Sequence, residues 1–93
     1  MHLVDSAEYV VSELVTNAIE TSQYTWQATV TVWLASDARE LLIEVWDGST
    51  EPPMPAAELL GEGGRGLVIV EALCHSWGFY PNCRRGKVVW ALL

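Results

Sequence analysis

A two-layer α+β sandwich, with a mostly antiparallel sheet of about four strands covered by helices on one face, is the fold class that this 93-residue sequence predicts. Three observations predict it. One long segment repeats its apolar residues at three- and four-residue spacing, and several short segments alternate or run β-branched and aromatic. The elements fall in the order helix, strand, strand, loop, helix, strand, strand, the segregated pattern of the α+β class. A chain of this length makes one domain, residues 1–93, around a single core.

The first helix is read from Leu3 to Ile19, where Leu3, Val4, Ala7, Val10, Val11, Leu14, Val15, Ala18 and Ile19 keep amphipathic spacing. At about 100° per residue, Glu13 and Asn17 fall beside Val10 on the border of that stripe. They either open into a pocket at the core edge or reach out to solvent.

A hairpin follows. Trp26 to Ala35 is β-branched, aromatic and alternating, Ser36 to Glu40 turns, and Leu41 to Asp47 returns. Period two puts Asp47 on the aliphatic face with Leu41, Ile43 and Val45. An inward carboxylate needs a donor; the alternative is a turn cap, because Asp47-Gly48 is also a turn dipeptide.

Residues 48–66 are rich in turn formers, including Pro52, Pro53 and Pro55, with one helical turn expected from Ala56 to Leu60. So long a loop in a small domain reads as a lid or binding segment. A second helix is expected from Gly66 to Ser76, with Leu67, Val70, Leu73 and Cys74 on one side. Trp77 to Tyr80 and Lys87 to Leu93 read as a closing hairpin turned at Pro81 to Gly86.

Gly61, Gly63, Gly64 and Gly66 lie within six residues, around Glu62 and Arg65. Glycines let backbone N–H groups surround an anion, and a following helix N-terminus adds its positive end. A phosphate is the expected occupant; a plain helix-start turn is the alternative. The string also matches the dinucleotide fingerprint, but no strand precedes it and Arg84 and Arg85 stand where an acidic ribose ligand would. No lysine-bearing phosphate loop occurs.

Composition excludes several classes. Hydrophobic residues make up 51% and mean hydropathy is +0.20, so the chain is not a disordered one. A net charge of −7 with five basic residues argues against direct nucleic-acid binding. Four of the five lie between Arg65 and Lys87, a local positive patch suited to a small anion. No apolar run is long enough to span a membrane and no signal peptide is read, so a cytoplasmic location is expected. Cys74 and Cys83 read as free thiols rather than metal ligands, with a single disulfide the alternative.

The segments Glu13-Leu14-Val15-Thr16-Asn17-Ala18, Val45-Trp46-Asp47, Gly64-Arg65-Gly66-Leu67-Val68-Ile69-Val70 and Gly86-Lys87-Val88-Val89-Trp90 together resemble the GHKL, or Bergerat-fold, ATP-binding domain. That domain is shared by DNA gyrase, heat-shock chaperones, histidine kinases and mismatch-repair ATPases. The resemblance runs from Leu3 to Leu93, and within the family it is strongest to the anti-sigma-factor serine/threonine kinases.

The resemblance implies ATP and Mg²⁺ as ligands. Asn17 would hold Mg²⁺ through its side-chain carbonyl, and Glu13 would be the catalytic base. Asp47 would accept a hydrogen bond from the adenine amino group, so that Asp47→Asn is expected to abolish adenine recognition with little loss of fold. Gly64 and Gly66 would let the backbone wrap the phosphates, Arg65 would add charge at the γ-phosphate, and Gly48, Gly61, Gly63 and Leu67 complete the nucleotide-binding set.

A sigma factor and an anti-anti-sigma-like protein are the implied partners, with a homodimer allowed. A non-catalytic nucleotide- or protein-binding module of the same fold is the alternative function. Family members begin with a further helix and strand, so the expected fold is N-terminally shortened, and the strand from Trp26 to Ala35 is expected to lie exposed.

Overall fold

A computed structural model describes residues 3–22, 29–49, 65–82 and 85–93 of the chain. Helix α1 (Leu3–Ser22) is followed by strands β1 (Thr31–Ser36) and β2 (Leu41–Asp47), helix α2 (Arg65–Leu73) and strands β3 (Ser76–Pro81) and β4 (Lys87–Leu92). The four strands form one sheet in the order β1-β2-β4-β3, antiparallel throughout.

The helices lie on one face of the sheet, as the alternation requires. From α1, Val10, Leu14 and Ala18 are fully buried at four-residue intervals, and Val70 of α2 joins them. They meet Ile43 and Val45 of β2 and Val89 and Ala91 of β4. Burying each of the valine, leucine and isoleucine side chains among them contributes about 1.5–3 kcal/mol. Val4 and Ile19, counted in the predicted stripe, are instead 55% exposed.

Asp37 builds the β1–β2 turn. Its Oδ1 accepts the backbone N–H groups of Arg39 and Glu40 at 2.7 and 2.8 Å. Those bonds hold its carboxyl below the usual carboxylate range, since they are made to the charged form.

Several predicted boundaries move, most of them by a residue. β1 begins at Thr31; Thr29 and Val30 are not in the ladder, and 26–28 lie outside the described residues. α1 continues to Ser22. α2 ends at Leu73 rather than Ser76, because the His75 N–H turns to the Leu92 carbonyl at 2.7 Å and ties the chain to β4. The loop 50–64, with its predicted turn at Ala56 to Leu60, lies outside the described residues.

β1 is an edge strand, and its Val32 and Leu34, which face the helix layer, stay 39% and 62% exposed. An apolar groove of about 420 Å³ separates Leu34 and Leu41 from Val4, Ala7 and Val11 of α1.

At the other end of β2 the chain closes tightly. Gly86 has φ +78°, and a Cβ there would collide with the Asp47 carbonyl oxygen. Only glycine satisfies both the left-handed backbone and the close approach. Gly86→Ala is therefore expected to lower stability by about 3 kcal/mol or more, read from the midpoint of urea unfolding. A loss under about 0.5 kcal/mol would mean that the β2–β4 closure is looser than described.

Candidate functional site

Asp47 is fully buried at the end of the aliphatic face of β2, as the period-two pattern places it. Its donor is Lys87, the residue opposite it on β4. Lys87 is only 2% exposed, and its Nζ donates to Asp47 Oδ2 at 2.8 Å and to Oδ1 at 3.1 Å. The third ammonium proton goes to Thr21 Oγ1 at 2.9 Å. The Ser49 N–H donates to Asp47 Oδ1 at 2.8 Å, so the carboxylate caps the turn at Gly48 as well as pointing inward.

This arrangement corrects two expectations. Lys87 does not belong to a solvent-facing positive patch: it neutralises Asp47 inside the protein. Asp47→Asn, in turn, removes a buried charge and strands the Lys87 ammonium, so its cost falls on the fold as well as on any ligand.

Along α1 a second set of polar residues runs toward this pair. Tyr9, Glu13, Asn17 and Thr21 recur every fourth residue, one position before the fully buried Val10, Leu14 and Ala18, and all four are half-buried. They form a polar line about 6 Å per step along the core edge. Desolvation, together with the nearby Glu13 carboxylate, pushes the Tyr9 pKa up. Thr21 Oγ1 lies 3.0 Å from the Asn17 backbone oxygen. Helix and sheet are thus linked through Thr21, between Asn17 and the Asp47–Lys87 pair.

Asn17 Oδ1 is buried and has no hydrogen-bond partner among the described residues. Burying an amide oxygen without a donor costs about 1–3 kcal/mol, so the position carries a standing penalty that an electropositive ligand would relieve.

Of the residues expected at the site, the structure brings Glu13 and Asn17 onto one helix edge and Asp47 to the strand end beside that helix. Gly48 follows in the bend after β2. Gly61, Gly63 and Gly64 lie outside the described residues. Arg65, Gly66 and Leu67 open α2, and their side chains are not described. Tyr9, Thr21 and Lys87 are site residues that sequence reasoning misses. The four-residue spacing through Glu13 and Asn17 marks the first two, whereas nothing in the order of residues pairs Lys87 with Asp47.

Cys74 is a free, half-buried thiol whose pKa burial pushes up, which disfavours the nucleophilic thiolate. Cys83 lies outside the described residues. No helix among the described residues is long and apolar enough to cross a membrane.

The model of the histidine kinase-like ATPase domain family matches residues 1–92 of the chain. No curated protein matches it.

Proposed function

The chain belongs to the histidine kinase-like ATPase domain family, whose members bind ATP, generally with Mg²⁺, and from that premise we propose that it is an ATP-binding regulatory protein of the anti-sigma-factor serine/threonine kinase type. In this reading it transfers a phosphoryl group to a serine of an anti-anti-sigma-like partner and also binds a sigma factor.

The observation that carries the reading is the buried Asn17 Oδ1, without a hydrogen-bond partner among the described residues and one helical turn from Glu13. A hard cation takes oxygen ligands and leaves part of its shell to phosphate oxygens, so a single protein carbonyl fits Mg²⁺ held with ATP. When bound, the ion would neutralise charge on the phosphates. Glu13 would take the proton of the attacking serine hydroxyl, with Tyr9 close beside its carboxylate. Asp47, held by Lys87, would offer the remaining acceptor capacity of Oδ2 to the adenine amino group. Gly61, Gly63, Gly64, Gly66 and Arg65 are assigned to the phosphates, with Gly48 and Leu67 at the edges of the nucleotide.

One observation favours the second reading, a non-catalytic module. Lys87, Ser49 and Thr21 already surround the Asp47 carboxylate, which leaves adenine little to claim there.

The test is calorimetric titration of the chain with ATP, with and without Mg²⁺, beside Asn17→Ala. Removing an unsatisfied buried acceptor should leave stability unchanged or raised by up to about 1 kcal/mol. Mg²⁺-dependent ATP affinity should fall at least about tenfold, a lost interaction of about 1.4 kcal/mol. Equal affinity in the folded variant would remove the site. Phosphoserine on a partner after incubation with ATP selects the kinase, and intact ATP selects the module.

A further inference from the structure

In a two-layer sandwich the sheet face away from the helices meets water and is ordinarily polar. Here it is aromatic and aliphatic. Register places Trp33 of β1, Glu44 of β2 and Trp90 of β4 side by side in one row across the sheet, ending at Gly78 of β3. A Cβ on Gly78 would sit 3.0 to 3.2 Å from indole atoms of Trp90, so that ring lies over the glycine rather than over Glu44. Trp33 and Tyr80, at 50% and 44% exposure, stand on either side of the carboxylate. They line, with Glu44 and Val88, a cavity of about 520 Å³.

The carboxylate is held in place. The Tyr80 hydroxyl donates to Glu44 Oε2 at 2.9 Å, and this bond is the largest cause of the raised Tyr80 pKa. One bond uses one of about four lone-pair sites, so acceptor capacity remains.

A fixed carboxylate between an indole and a phenol ring is chemistry for a cation. Aromatic faces attract cations, and the carboxylate supplies the counter-charge. Arginine fits better than lysine, because its planar guanidinium can both fork onto the carboxylate and stack on the rings. The chain's net charge of −7 steers basic partners toward it. The surrounding Leu42, Trp46 and Leu92, all half-buried, offer apolar area for the backbone that carries such a side chain.

We propose that this outer sheet face is a docking surface for a partner protein that inserts an arginine between Trp33 and Tyr80 against the Glu44 carboxylate.

The probe is N-acetyl-arginine methylamide, followed by the indole N–H resonances of the folded chain, with Trp77 on the opposite face as the internal control. Saturable shifts are expected at Trp33 and Trp90 and none at Trp77. N-acetyl-lysine methylamide should bind about threefold more weakly. Glu44→Gln keeps shape and the Tyr80 acceptor but loses the charge, and should weaken the arginine probe about fivefold. Trp33→Ala should weaken it two- to fivefold. An unmoved Trp33 resonance throughout the titration, or equal binding by Glu44→Gln, overturns the proposal. So does sedimentation of the wild type as a dimer in which Trp33 is shielded and unresponsive, since the face would then belong to a second copy.

Discussion

Lys87→Met should be among the most destabilising single changes in this chain, lowering unfolding free energy by about 3–5 kcal/mol. Lys87 is 2% exposed and Asp47 fully buried, and every ammonium proton has an acceptor. Methionine fills much of the same volume, so the loss is electrostatic rather than a cavity. It leaves a carboxylate inside the protein with the Ser49 N–H and a Thr21 hydroxyl 3.5 Å away as its donors. Domains of this size have about 5–15 kcal/mol in total, so the variant would sit near its unfolding threshold at room temperature.

The double variant Asp47→Leu with Lys87→Met should recover most of the loss, because a buried ion pair is close in free energy to its apolar replacement. Urea unfolding of wild type, both single variants and the double variant measures the coupling. A loss below about 1 kcal/mol for Lys87→Met would mean that water reaches the pair in solution.

That pair also marks the boundary of what the sequence discloses. The four-residue rhythm of Val10, Leu14 and Ala18 announces α1, and the alternation in Leu41 to Asp47 turns the carboxylate inward. Both are local periodicities, which the chain writes out residue by residue. The identity of the donor is not local. It depends on β4 docking beside β2 with β3 outside it, and two hairpins can dock in several strand orders without any change in their own patterns.

Counting charge along the chain therefore groups Lys87 with Arg84 and Arg85, although its side chain is buried in the protein. The Trp33–Glu44–Trp90 row is hidden for the same reason, since its members are brought together by register alone. Tyr9 and Thr21 are different. Their four-residue spacing from Glu13 and Asn17 is visible in the sequence, but a tyrosine and a threonine at the border of a helix stripe are also ordinary surface residues.

Glu13→Gln should lower phosphoryl transfer about 10²- to 10⁴-fold, the usual contribution of a positioned base, and leave ATP affinity within about threefold of wild type. Glutamine keeps the length of the side chain and an oxygen that can accept from the Tyr9 hydroxyl, but it cannot take a proton. The change thus isolates proton transfer from position. Tyr9→Phe does the reverse: it leaves the carboxylate and removes the hydroxyl of its neighbour. A smaller loss of transfer, on the order of tenfold, is expected there with ATP binding again preserved.

The Tyr9 pKa is raised, so the hydroxyl keeps its proton up to and beyond the ordinary tyrosine range. Only as pH rises through that raised pKa would two anions face each other and the contribution be lost. Single-turnover transfer to a partner serine, measured for wild type and both variants, separates the cases. Unchanged transfer by Glu13→Gln would assign the base to another group. A wild type that binds ATP with Mg²⁺ yet transfers nothing would leave Asn17 as a nucleotide ligand and Glu13 as a residue that only supports it.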